Sequence, residues 1–248
     1  MILSRRTLLI GGGATLLAGC DKLNNNAGFR ETLRGGERLT MRAQRLISSR
    51  EAMAREFSAA DMSPVFRSNG TGNPNTDLYN RLAAGQFADW RLGVDGLVRR
   101  PLALSLAQLQ SMPRRTQITR HDCVEGWSAI GKWTGVPLSL ILDGAGLKDE
   151  ARYIVFHCMD RYGDRPYYES IDLVDAFHPQ TILAWGMNDQ MLPIPNGAPL
   201  RLRVERQLGY KQAKYIARIE ARATLAGLYG GQGGLWEDTN DYEWYAGI

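Results

Sequence analysis

Apolar residues in this chain come in short runs that turns cut off before a long helix can form. Trp90, Leu92 and Val94 alternate with Arg91 and Gly93, a period-two pattern that stops at Asp95-Gly96. Ser105 stands as an N-cap before a short helix carrying Leu106 and Leu109. Residues 116–121 read as extended. Pro137 occupies a first helical position, and Leu138, Ile141 and Leu142 share one face before Gly144. Residues 153–156 and 181–185 read as buried strands, with a helix over 172–177 between them that Pro179 ends. After the turn Pro195-Asn196-Gly197-Ala198-Pro199, Leu200, Leu202 and Val204 alternate with Arg201 and Arg203, and residues 214–221 form a last strand. Short strands, interspersed short helices and no regular βαβ rhythm predict an α+β fold.

Composition adds limits. The 248 residues are 44% hydrophobic and 23% charged, which suits a packed core and excludes a collagen-like, coiled-coil or disulfide-stapled chain. Net charge is +4, and without Arg5 and Arg6 it falls to about +2, too little to argue for nucleic acid. Those arginines precede the apolar run 8–19, about a dozen residues where a bilayer-spanning helix needs roughly 20. The pattern is that of a secretory signal with a twin arginine, the export route of proteins that fold before crossing. Leu17-Ala18-Gly19-Cys20 resembles a lipobox, which makes Cys20 a lipidated first residue, and Asp21 hints at retention in the inner membrane. The expected organisation is a signal over 1–19, a linker and N-terminal helix over 20–62, a catalytic domain over 63–225 and a tail over 226–248. Within the second segment, residues 21–38 read as linker and 42–57 as a charged helix. The aromatic and acidic tail either folds over its own core, the favoured reading, or docks a partner.

Candidate chemistry is confined by few residues. Beyond Cys20 the chain holds Cys123 and Cys158, and its histidines are His121, His157 and His178. One disulfide between the two cysteines is an open alternative in an oxidising compartment. A zinc site from His121-x-Cys123 and His157-Cys158 is disfavoured, because adjacent His157 and Cys158 point to opposite faces of a strand. A Cys123–histidine hydrolase dyad has no local signature to support it. Gly126-Trp127-Ser128-Ala129-Ile130-Gly131 is one residue too long for a nucleophile elbow. Gly230-Gly231-Gln232-Gly233-Gly234 follows no strand and opens no helix, so it is not a dinucleotide loop. In the basic run 201–222, Arg218 and Arg222 read as a solvated strand face. Arg201, Lys211 and Lys214 flank turns, where cations and backbone N–H groups can converge on an anion such as a cofactor phosphate.

These residues fall into an order that resembles the sulfite oxidase family. Arg120 precedes Cys123-Val124-Glu125-Gly126-Trp127-Ser128, and Trp133-x-Gly135-Val136-Pro137-Leu138 follows. His178-Pro179, Trp185-Gly186-Met187-Asn188, Leu192-Pro193, Asn196-Gly197-Ala198-Pro199-Leu200-Arg201 and Gly209-Tyr210-Lys211-Gln212-Ala213-Lys214 continue the order, so that the match runs over about residues 63–221. The periplasmic protein-methionine-sulfoxide reductase branch is the most similar, sharing Cys-Val-Glu-x-Trp-Ser and a twin-arginine signal. The resemblance implies a molybdopterin-binding fold of mixed sheets and short helices, and one molybdopterin in its mononucleotide-free form. It gives Cys123 the role of molybdenum ligand, which suits a soft thiolate beside dithiolene sulfurs. Asn69, Asn196, Arg201, Gln212, Ala213 and Lys214 match cofactor-binding positions, although Gly70 replaces the histidine that usually follows Asn69. Cys158 stands where the branch has a pterin-contacting threonine, a better hydrogen-bonding residue. His178 is expected to cap or pack.

One departure bears on the substrate. Sulfite oxidases carry an arginine shortly after the cysteine, whereas residues 124–131 hold no basic residue and Glu125 adds an acidic one. A carboxylate near a dianion's path is unfavourable, so the resemblance implies reduction of a neutral S-oxide or N-oxide, with Trp127 lining an apolar pocket and Glu125 or Tyr162 relaying a proton. An oxidase of a sulfur compound and a non-catalytic ligand-binding lipoprotein are the alternatives. With no haem or flavin motif, electrons are expected from a membrane haem-containing subunit, and a lipid at Cys20 keeps the chain near it.

Overall fold

The computed structural model describes residues 26–248. Arg5, Arg6, the apolar run 8–19 and Cys20 lie outside the described residues. Two compact units, 1–49 and 50–248, make up the chain. The described part of the first is helix α1, Ala27–Ile47, whose N-cap Asn26 accepts from Phe29 N. This corrects the sequence expectation: the helix occupies most of the stretch read as linker, and residues 48–57 lie outside it.

The second unit holds two five-stranded sheets. One joins β1 (Arg91–Gly96), β2 (Leu102–Ser105), β5 (Tyr153–Tyr162), β6 (Arg165–Asp172) and β10 (Ile216–Arg222) in the order β2-β1-β10-β5-β6. Only β1 and β10 pair in parallel there, so the sheet is mixed. The other runs from β3 (Arg115–Asp122) through β4 (Ser128–Pro137) and β7 (Ile182–Met187) to β8 (Gln190–Met191), and β9 (Arg201–Arg203) also pairs with β7. Short helices connect them: α2 (Asp77–Ala84), α3 (Leu106–Ser111), α4 (Leu138–Ala145), α5 (Leu173–Ala176) and α6 (Leu235–Asn240). The α+β architecture with mixed sheets is the one expected.

Local chemistry explains the elements. Ser105 and Gln108 form a capping box at α3, each side chain meeting the other's backbone N–H. In β1, Leu92 and Val94 point inward and pack with Ile141, Leu142, Ile154, Phe156 and Ile219. Each such buried side chain contributes about 1.5–3 kcal/mol of transfer free energy. Pro137 closes β4 and caps α4 rather than beginning it, and the helix continues through Gly144 to Ala145. Residues 214 and 215 stay outside the last strand, which starts at Ile216. Gly234 caps α6, so the glycine run does open a helix, contrary to expectation.

Candidate active site

The hairpin between β3 and β4 carries Cys123. Asp122 pairs with Ser128, and the loop is closed by Cys123 N donating to Trp127 O (2.9 Å) and Gly126 N to Cys123 O (3.0 Å). Gly126 has φ +85°, which glycine adopts without a Cβ penalty. Cys123 is buried while Val124 and Glu125 are exposed, so the loop turns its thiol inward and its carboxylate to the mouth.

The thiol opens into a cavity of about 350 Å3. Asn69, Cys123, Glu125, Gln212 and Lys214 line it, so five of the sequence candidates converge. Burial raises the thiol's pKa above its ordinary value and the Glu125 charge adds to the rise, opposed by the backbone at Glu125, Asn69 and Arg201. Arg201, Asn196, Ala213 and Cys158 do not line the cavity. Ala213 packs in the main core, its carbonyl accepting from Leu202 N (2.8 Å). Cys158 sits on β5 two residues before Asp160, which does line the cavity.

Lys214 donates to Asn69 O (2.6 Å), Thr71 O (2.5 Å) and Pro195 O (3.0 Å). Gly197, at φ +114°, makes that approach possible, because a Cβ there would stand 2.9 Å from Lys214 Cβ. Burial and then Arg201 lower the Lys214 pKa to about 7, against the pull of Asp160. Asp160 is raised to about 6 by burial, opposed by a hydrogen bond with Thr71 and by Lys214. Arg201 is buried beneath, with Nη1 on Asn196 O (3.1 Å), and burial followed by repulsion from Arg203 pulls it to about 9. Asn69 Oδ1, Asn196 Nδ2, and Arg201 Nε and Nη2 are buried without a hydrogen-bond partner. Since buried polar groups are ordinarily satisfied, this set marks a place for a polar ligand.

A buried polar layer supports this wall. Arg203 binds Glu205 (2.6 and 2.9 Å), reaches His121 Nδ1 (3.1 Å) and lies over the Trp133 ring (4.3 Å). Gln117 donates to Glu205 (2.8 Å). His121 stays neutral, its pKa held well below the ordinary value by burial and by Arg201 and Arg203. Its Nδ1 lies against Arg203 and Gln212 and its Nε2 has no partner, so it forms no dyad with Cys123. A Cβ at Gly209 would fall 2.4 Å from this ring, so only glycine fits there.

Several expectations are corrected. Lys211 does not face an anion: it is buried between Glu169 and Glu237 (2.7 Å to the latter). Trp127 does not line the cavity; it donates to Glu125 (3.1 Å) and packs on His121. Cys123 and Cys158 are free thiols, so no disulfide joins them. His157 turns to Glu220 (2.9 Å), and no group of three or more His, Cys, Asp or Glu suited to a metal occurs among the described residues. Arg218 stays partly solvent-exposed, as expected, and pairs with Asp95; Arg222 is also partly exposed and pairs with Glu220. His178 packs, as expected, with Nε2 against Ala52 O (3.1 Å).

Of the opposite wall, sequence reasoning gave only Tyr162 a role at the site. Tyr162, Tyr167, Tyr210, Trp236 and Tyr242 line it, the last two from the chain's C-terminal segment. That segment folds back on its own unit: Trp244 Nε1 donates to Ser170 Oγ (2.9 Å), Tyr210 OH to Glu243 O (2.6 Å), and Lys211 grips Glu237 beside Trp236. The aromatic run in the tail was the available signal, but which rings face the cavity depends on tertiary contacts.

Residues 81–227 match the family described as "Oxidoreductase molybdopterin binding domain". Over 160 residues the chain is 43% identical to "Putative protein-methionine-sulfoxide reductase subunit YedZ1" of Azospira oryzae, covering 64% of this chain and 56% of the relative. The protein-methionine-sulfoxide reductase catalytic subunit MsrP of Ralstonia nicotianae is 38% identical over 141 residues, 52% of this chain and 43% of its own. The same subunit of Gluconobacter oxydans is 37% identical over 143 residues, 52% and 46% respectively. The chain thus spans about half the length of the curated relatives it matches. Among solved structures, the sulfane dehydrogenase SoxCD from Paracoccus pantotrophus shares the fold, with a TM-score of 0.51 and 24% identity over 55% of this chain and 39% of that one.

Proposed function

The chain belongs to the oxidoreductase molybdopterin binding domain family, and from that premise we propose that it reduces a neutral S-oxide, such as methionine sulfoxide, at a molybdenum held by Cys123. The observation that carries this reading is the pairing of the Cys123 thiol with an acidic mouth and an aromatic wall in one cavity. Lys214 is the one basic residue among those lining it, and the cofactor's phosphate would take it, which leaves no cation for a substrate anion. An anion such as sulfite meets the Glu125 carboxylate and finds no ready cation; a neutral sulfoxide meets no such repulsion. Aromatic edges also favour divalent sulfur, which suits Tyr162, Trp236 and Tyr242 to the thioether product.

The residues fit the cofactor. Unpartnered Asn69 Oδ1, Asn196 Nδ2, Arg201 Nε and Arg201 Nη2 offer one acceptor and three donor groups for the polar edge of a pterin. Lys214 would hold its phosphate by exchanging one carbonyl for a phosphate oxygen, with the Gln212 and Ala213 backbone beside it. Cys158 is kept as a weaker contact from β5. When bound, the cofactor supplies two-electron chemistry and an acceptor for the oxygen atom. Net reduction of the sulfoxide to thioether and water would consume two electrons and two protons, and Glu125 or Tyr162, which line the cavity, would relay the protons. The tail's rings exclude water from the cavity.

The relatives are named as subunits, which supports a separate electron donor, and a membrane haem-containing subunit is the proposed one. Arg5-Arg6, the run 8–19 and Cys20 support export to the periplasm and a lipid anchor at the inner membrane. The test is turnover of cofactor-loaded protein with a reduced viologen dye and methionine sulfoxide, beside sulfite with an oxidising dye. Sulfoxide-dependent dye oxidation, at least about tenfold above sulfite turnover, is expected; turnover with sulfite alone overturns the reading.

A further inference from the structure

Helix α1 sorts its side chains by chemistry around its axis. At the helical repeat of about 3.6 residues, Phe29, Leu33, Leu39, Leu46 and Ile47 fall on one side. Arg30, Arg34, Arg38, Arg42 and Arg45 fall on the other, with Glu31 and Glu37 among them. The apolar side is the exposed one: Leu33 is 55% accessible, Leu39 65%, Leu46 88% and Ile47 86%. Isolated exposed leucines are ordinary, but a continuous apolar face along one helix marks a surface that something covers. Among the described residues no helix is long and apolar enough to cross a membrane, and five arginines in 21 residues place α1 in that class.

We propose that α1 lies in the plane of an anionic lipid surface, its leucine face sunk among acyl chains and its arginines at the headgroups. Three observations favour lipid over a protein groove. Five arginines against two glutamates give α1 a net positive charge, and Glu31 reaches Arg34 (4.0 Å) and Arg38 (3.3 Å). Arginine stems reach around a helix to headgroup level while their charge stays solvated. Cys20, the proposed lipid site, also stands only seven positions before Ala27 in the sequence, so that anchor would hold the helix at the lipid surface. Such helices bind through apolar area together with attraction to anionic lipid. The helix would act beside any lipid at Cys20.

The experiment uses the full chain with Cys20→Ala, so that no lipid contributes. Vesicles of phosphatidylglycerol and phosphatidylethanolamine are compared with vesicles of phosphatidylcholine, and hydrogen exchange is followed by peptide. Slower exchange in residues 29–47 on the anionic vesicles only, diminished by salt, is expected. Arg34→Gln/Arg38→Gln/Arg42→Gln is expected to lower partitioning at least about tenfold. Leu33→Glu/Leu46→Glu should abolish the protection, and circular dichroism in trifluoroethanol checks that this variant can still form the helix. Protection confined to residues outside 29–47, or unaltered by both variants, overturns the proposal. So does protection that appears only at high protein concentration without vesicles, which would give the face to a second copy of the chain.

Discussion

The two sides of the cavity are built on opposite physical terms. The inner side, Asn69 and Lys214 at the cavity with Asn196 and Arg201 buried next to Lys214, is polar and unfinished: Asn69, Asn196 and Arg201 carry polar atoms without a hydrogen-bond partner. The outer wall is aromatic and finished, its rings packed on one another (Tyr162 on Trp236 at 4.9 Å, Tyr210 on Tyr242 at 5.0 Å) and fastened from behind. Unsatisfied buried groups destabilise a fold, so a chain retains them where a fixed ligand completes them. A packed aromatic surface presents shape and apolar area, which suits a changing substrate. The difference supports the proposed division, with the cofactor held on the inner side and the substrate chosen at the outer one.

The largest expected effect breaks the outer wall from behind. Lys211→Met leaves Glu169 and Glu237 facing each other in the interior, where burial and Glu237 already push the Glu169 carboxyl upward. A loss of about 3–5 kcal/mol is expected in denaturant unfolding, while Glu237→Gln, which leaves Lys211 its partner Glu169, costs clearly less. Equal losses would mean that the buried charge triad does not fasten the tail.

Arg201→Met probes the inner wall. It removes two unpartnered guanidinium nitrogens, so the cofactor-free chain should change stability by less than about 2 kcal/mol. Cofactor content should nevertheless fall at least about tenfold, read as pterin fluorescence after release. A stable variant that retains full cofactor would contradict the division of the walls.

Trp236→Ala and Tyr242→Ala sharpen the comparison from the other side. Loss of one sulfur–aromatic contact is worth about 1 kcal/mol, so KM for methionine sulfoxide should rise severalfold. Pterin content and the spectrum of the loaded protein should stay as in the unaltered chain.

The smallest effect is in pH. In the cofactor-free chain Lys214 titrates near 7 and Asp160 near 6. Above 7 the lysine loses its charge, and above 6 the aspartate gains one that repels anions. Binding of sulfate, which stays a dianion across this range, should therefore tighten as pH falls from 8 to 6, with net proton uptake near pH 7. Calorimetry in buffers of different ionisation enthalpy measures this; affinity that rises with pH would exclude the pair from the anion site.

Legibility in the sequence followed the range of the interactions. Turn chemistry and strand alternation made β1, β3 and the capped α3 readable, because those signals are local. Motif order brought Cys123, Asn69, Gln212 and Lys214 to one cavity although more than a hundred residues separate Asn69 from Lys214. Lys211 was misread because its partners Glu169 and Glu237 lie 42 and 26 positions away, so only the fold shows its charge to be neutralised. Most of the aromatic wall was hidden for the same reason. Helix α1 is a different case: arginines at 30, 34, 38 and 42 repeat at helical spacing, but Asn24-Asn25-Asn26 and Gly35-Gly36 read more loudly as linker.

Metal and pterin content of the protein purified from cofactor-replete cells, beside Cys123→Ser prepared in the same way, tests the central claim most directly. The account predicts about one molybdenum and one pterin per chain. In the serine variant the pterin should remain on the inner wall, while the thiolate-to-metal charge-transfer absorption disappears. An unchanged spectrum in Cys123→Ser, or protein from cofactor-replete cells that holds neither molybdenum nor pterin, would contradict it.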